Sequence, residues 1–205
     1  MSDSLRKPPA VAVRGIATGL MLMAFFTMVW TGISQAGLRG RDHGLELSFF
    51  SLISVIFIIY GVRLFRSSSL FPALVSREDA ERSKKMVRRF GIVFGLECIS
   101  IVLACGLLSG LGYGRLINCG IALVVGLHFF PMAKIFNRTI DYYLATWACL
   151  IALTTAYLLF ENVISTRDGD AALGIGLALT TSLYGFHMIL TGMRFQYLVK
   201  YSQRD

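Results

Sequence analysis

Residues Phe90–Gly112 read FGIVFGLECISIVLACGLLSGLG, 23 positions that contain one charged residue, Glu97. At 1.5 Å per residue, a helix of this length crosses a hydrocarbon core about 30 Å thick. No alternation of polar and apolar residues at the strand period recurs along the chain, so a barrel is not the expected architecture. The stretch therefore reads as a membrane-spanning helix, and Glu97 inside it asks for an explanation.

Five further apolar stretches lie outward from it, each bounded by charged residues: 15–38, 47–65, 116–133, 142–160 and 171–193. The chain has 205 residues, of which 55% are hydrophobic and 16% charged. Soluble domains carry about 25% charged residues, so this chain has too little polar surface to cover its apolar content. The expected fold is all-α and polytopic, a single domain over 1–205 with six transmembrane helices and no room for a soluble unit. The first span follows Arg6, Lys7 and Arg14 as a secretory leader would. It is longer than a typical leader core and runs on into a second span, so it is read as an uncleaved helix.

Orientation follows from Lys and Arg, which resist translocation. Of the 20 such residues only Arg39, Arg41, Arg115 and Arg167 fall on one side of the six spans; the other 16 fall on the opposite side. Both termini are thus expected in the cytoplasm, and most of the net charge of +8 becomes a topology signal.

The cytoplasmic loop, 66–89, concentrates this charge. Ser76-Arg77-Glu78-Asp79 has the form of a helix start, and the helix that follows carries Arg77, Arg82, Lys84, Lys85, Arg88 and Arg89 beside the membrane. Such a patch attracts anionic headgroups at about 1 kcal/mol per residue. The alternative reading is a site for an acidic cytoplasmic partner or a regulatory lipid. Neither aromatic interleaving nor a recognisable nucleic-acid fold accompanies it, so nucleic acid is not an expected partner.

Catalytic and metal-binding spacings are not found. Cys98, Cys105, Cys119 and Cys149 all fall inside apolar spans without a C-x-x-C pair and read as small hydrophobes. H-E-x-x-H, the phosphate loop and G-x-S-x-G are missing. No cofactor, metal or enzymatic activity is expected on these grounds.

Three ionisable side chains sit well inside the spans: Glu97, His128 and His187. With the orientation above, each lies six to eight residues from a cytoplasmic Arg or Lys (Arg89, Lys134 and Arg194), or about 9–12 Å deep. All three then share one layer. Each is preceded at two positions by glycine (Gly95, Gly126, Gly185), about 200° around the helix, where a neighbouring helix can approach the opposite face. Gly91 and Gly95, with Gly106 and Gly110, give the third helix two small-x-x-x-small pairs and suggest that it is central. Pro131 in the fourth span predicts a kink or an early end.

The segment Gly126–Phe136, GLHFFPMAKIF, resembles a G-L-H-F-x-P-L-A pattern of small bacterial integral membrane proteins with no assigned activity. The resemblance covers one span of six. It implies that His128 and Pro131 belong to the defining region. The expected location of the chain is the bacterial inner membrane.

A carboxylate and two imidazoles at one depth can pass a proton, because neighbouring charge and desolvation bring their affinities together. The expected function is a small transporter or permeation protein, proton-linked through this layer. The alternative is a non-catalytic scaffold or accessory subunit, self-associated or bound to a membrane partner, whose Glu/His cluster only fixes packing.

Overall fold

The apolar stretches fold as helices that reach beyond the expected spans at most ends, because polar residues near a helix end continue the backbone ladder at little cost. In the computed structural model, which describes residues 9–71 and 77–201 (side chains of 77–79, 82 and 198–201 excepted), every long element is α-helical. These are α1 (Ala10–Leu38), α2 (Leu45–Ser67), α3 (Arg77–Gly110), α4 (Ile117–Phe136), α5 (Thr139–Phe160) and α6 (Thr166–Tyr201). Six helices are long and apolar enough to cross a membrane, and no strand occurs among the described residues.

Short turns join them. Between α3 and α4 the backbone at Gly112 takes φ +79°, the left-handed region that a side chain would strain. Between α4 and α5 the same job falls to Asn137, at φ 52°, a residue type that tolerates this conformation. Its N–H closes the last turn of α4 on Ala133.

The packing centre is the seam between α1 and α6. A Cβ built on Gly174 would lie 2.5 Å from the backbone nitrogen of Ser34 and 2.6 Å from the carbonyl oxygen of Trp30. Gly37 is equally closed in by the backbone of Arg167 and Ala171 on α6. Farther along the seam the hydroxyls of Thr27 and Thr181 are 2.8 Å apart. Backbones can meet this closely only where both helices present small residues. α2 covers the other flank, its Phe57 ring packed over Gly185 of α6 and edge-on to Phe186.

On the opposite flank α5 rests on α6, with Ile151 against Gly176 and Leu159 against Gly169. α4 rests on α5, where Cys149 and Ala148 close over Gly126. α3 is the outlier. Its contacts are with α4, in one antiparallel register: Leu108 and Ala104 at Gly120, Glu97 at His128, Phe90 at Phe136. Gly91, Gly95, Gly106 and Gly110 have no atom within 4 Å of a Cβ position among the described residues. The expected central place of this helix is therefore not what is found. Small residues permit close approach without supplying the attraction, and the seam that uses them is α1 with α6.

Polar links tie the two ends of the bundle. At one end Arg41 pairs with Asp168 at 2.9 Å, Asn118 donates to Asp170 at 2.8 Å, and Arg115 binds Asn162. At the other, Arg14 donates to Ser68, Gln196 to Ser67, and Arg138 to Tyr184.

Candidate functional site

Glu97 is the only buried residue of α3 among those described, and it is the one acid or base in the apolar stretch 90–112. It retains 6% exposure on a helix whose apolar neighbours Leu96, Ile99 and Val102 are all exposed. The cause is position. Phe90, Val93, Glu97, Ile101, Ala104 and Leu108 follow one another at three- and four-residue steps, and this stripe is the less exposed side of α3, with Phe90, Glu97, Ala104 and Leu108 in contact with α4.

His128 meets it there, Nδ1 3.1 Å from Oε1, with the imidazole side chain 16% exposed. This is ion-pair distance without hydrogen-bond alignment. Among the described residues neither Nδ1 of His128 nor Oε2 of Glu97 has a hydrogen-bond partner. The His128 ring also lies against Phe129, centroids 4.3 Å apart, and Phe129 meets Tyr184 of α6 edge-on at 5.9 Å.

Beyond Phe129 lies a second acid. Asp141, in the first turn of α5, is 0% exposed, and neither of its oxygens has a hydrogen-bond partner among the described residues. The Tyr184 hydroxyl lies alongside and accepts from Arg138 Nη1 at 3.2 Å. His187 is half-buried on α6, while His128 is placed with Glu97.

Glu97 and His128 are thus brought together, whereas His187 makes no hydrogen bond or ion pair with either of them among the described residues, its backbone carbonyl accepting from Thr191. Asp141, Tyr184 and Arg138 escape sequence reading because Asp141 lies three residues from Arg138 at a span boundary, where charges are ordinary. A signal was present. Asp141, Leu144, Ala145, Ala148, Ala152, Thr155 and Leu159 form one helical stripe, and all are buried. An acid in register with alanines belongs to the packed face.

The remaining candidates fall elsewhere. Lys84, Lys85, Arg88 and Arg89 are exposed along the first turns of α3, whereas the side chains of Arg77 and Arg82, and residue Ser76, lie outside the described residues. Pro131 is exposed, and α4 continues through it to Phe136, so the helix does not end early there. The ring fits on the outer surface, leaving one helical hydrogen bond unmade. Gly126 and Gly185 do admit close neighbours, Cys149 and Phe57, opposite their histidines, but Gly95 faces open space among the described residues. The four cysteines are free thiols, with Cys119 buried and Cys98 exposed.

No family model, curated protein or solved structure matches this chain.

Proposed function

We propose that this is an integral membrane protein that moves protons, alone or coupled to a small solute, through the layer formed by Glu97, His128 and His187. Both termini face the cytoplasm in this reading, which places the layer about 9–12 Å inside that boundary. The exposed Lys84, Lys85, Arg88 and Arg89 then lie against anionic headgroups of the inner leaflet. The segment 126–136 suggests a bacterial inner membrane.

One observation carries the proposal. Oε2 of Glu97 and Nδ1 of His128 are buried with no hydrogen-bond partner among the described residues. A cluster kept only for packing is expected to be satisfied, since each buried unpaired polar group costs about 1–3 kcal/mol. Groups that must exchange a proton need unused donor and acceptor capacity.

Purified protein in liposomes holding a pH-sensitive dye tests it. An imposed pH gradient should collapse faster with the wild type than with Glu97→Gln, which keeps the size and removes the charge. Equal rates would sink the proposal. The open glycine face of α3 favours the second reading, a subunit that docks a membrane partner there. In that case flux is absent from both proteins.

A further inference from the structure

We propose that the cleft between the end of α1 and the start of α6 binds a phosphate group through Arg39, Arg41 and Arg167. These three residues border an open cavity of about 320 Å³, together with Ser165 and Asp168. They are three of the four basic residues on that side of the six spans, the fourth being Arg115. The same side carries five acids, Asp42, Glu46, Glu161, Asp168 and Asp170. Of these only Asp168 borders the cavity. The scarce positive charge of this end of the bundle is therefore gathered at one place.

Arg41 is fixed there. Its Nε donates to the Leu38 carbonyl at 3.1 Å, and its Nη2 donates to the Gly37 carbonyl at 3.1 Å and to Asp168 Oδ1 at 2.9 Å. Asp168 is held in turn by Ser165, whose hydroxyl donates to Oδ2 at 2.6 Å and accepts from the Asp168 N–H at 3.2 Å. Beside them Gly37 lies against the backbone of Arg167 and Ala171, so the wall where α1 meets α6 is backbone on backbone and cannot shift easily. The side chains of Arg39 and Arg167 are exposed and make no hydrogen bond or ion pair among the described residues. Their planar forks match the oxygens of a phosphate, two bonds at a time. The three guanidiniums less the Asp168 carboxylate leave two positive charges, and a phosphate monoester carries about −1.5 to −2 at neutral pH. A carboxylate ligand would leave one of them unmatched.

The site is independent of the Glu97 layer and of proton flux. The full chain in phosphatidylcholine nanodiscs, titrated calorimetrically with inorganic phosphate at fixed ionic strength, should bind it saturably. Arg39→Gln combined with Arg167→Gln should weaken that binding about tenfold or more, because charge-assisted hydrogen bonds are removed. The melting temperature of this variant without phosphate should not move, since neither guanidinium holds another residue. Arg115→Gln, which lies off the cavity, should bind phosphate as the wild type does. A wild type that binds no phosphate, a double variant of unchanged affinity, or an equal loss in Arg115→Gln each overturns the proposal. Discs containing phosphatidic acid distinguish the source of the phosphate group. If that lipid displaces inorganic phosphate more than the same surface charge of phosphatidylglycerol does, a headgroup occupies the site; if the two lipids act alike, the ligand comes from solution, and either result supports the site.

Discussion

His128 Nδ1 stands 3.1 Å from Glu97 Oε1, and this contact is the one buried polar junction between α3 and the rest of the bundle among the described residues. α3 otherwise meets α4 through apolar and small side chains. Replacing a buried ionic contact by apolar residues of similar volume is often neutral or stabilising, by about 1–4 kcal/mol. Glu97→Leu combined with His128→Leu should therefore melt at or above the wild-type temperature in detergent while losing proton flux, whereas Glu97→Leu alone strands the imidazole and should melt lower. A lower melting temperature for the double variant would show that the pair holds α3 in place.

The two classes of glycine should respond in opposite directions. Gly174→Ala drives a Cβ into the Ser34 backbone 2.5 Å away, and backbone cannot rotate aside. A cost of about 1–3 kcal/mol is expected, read as a lowered melting temperature. Gly106→Ala on α3 meets no atom within 4 Å among the described residues, and should gain up to about 1 kcal/mol from helix propensity.

The Thr27–Thr181 pair crosses the same seam. Thr27→Val keeps the shape and removes the hydroxyl, so its effect isolates the 2.8 Å bond. Interhelical bonds of this kind contribute about 0.6 kcal/mol on average. A double-mutant cycle with Thr181→Val measures it, and a coupling near zero would mean that the two hydroxyls are satisfied separately by their own helices, as Thr181 already is by Leu177 and Ala178.

Asp42 sets an acid limit at the α1–α2 turn. The Glu46 backbone N–H, then the Gln35 amide and the Gly44 N–H, hold its carboxyl below the ordinary 3.8. Because the folded-state value is the lower one, the stabilisation is fully present above about 3.8 and disappears as pH falls through the folded value. Melting temperatures of the wild type and Asp42→Asn should therefore differ near neutrality and converge in acid. Parallel curves would assign the turn's stability to other groups.

Topology is open to direct measurement. A reporter fused after Asp205 that is active only in the cytoplasm should be active, whereas the same reporter inserted beside Asn162 should not. The reverse pattern would move the Glu/His layer to the outer half and invert the direction in which it loads.

Amino-acid order alone determined the six helices, since their length and apolar content are local properties and the cost of charge in an apolar layer marks their ends. Glu97 and His128 were legible for the same reason: each interrupts a span at mid-length. The arrangement of the helices was not legible. Gly91, Gly95, Gly106 and Gly110 present the same spacing signal as the residues that bring α1 against α6, and only the tertiary structure decided which small residues meet another backbone. Asp141 makes the same point for the site. Hydropathy averages over a window and gives an acid near a helix end to the surface, whereas burial depends on which face of α5 turns toward α4 and α6. That face is selected by packing between elements far apart in the chain, which is why the second acid came into view only with the fold.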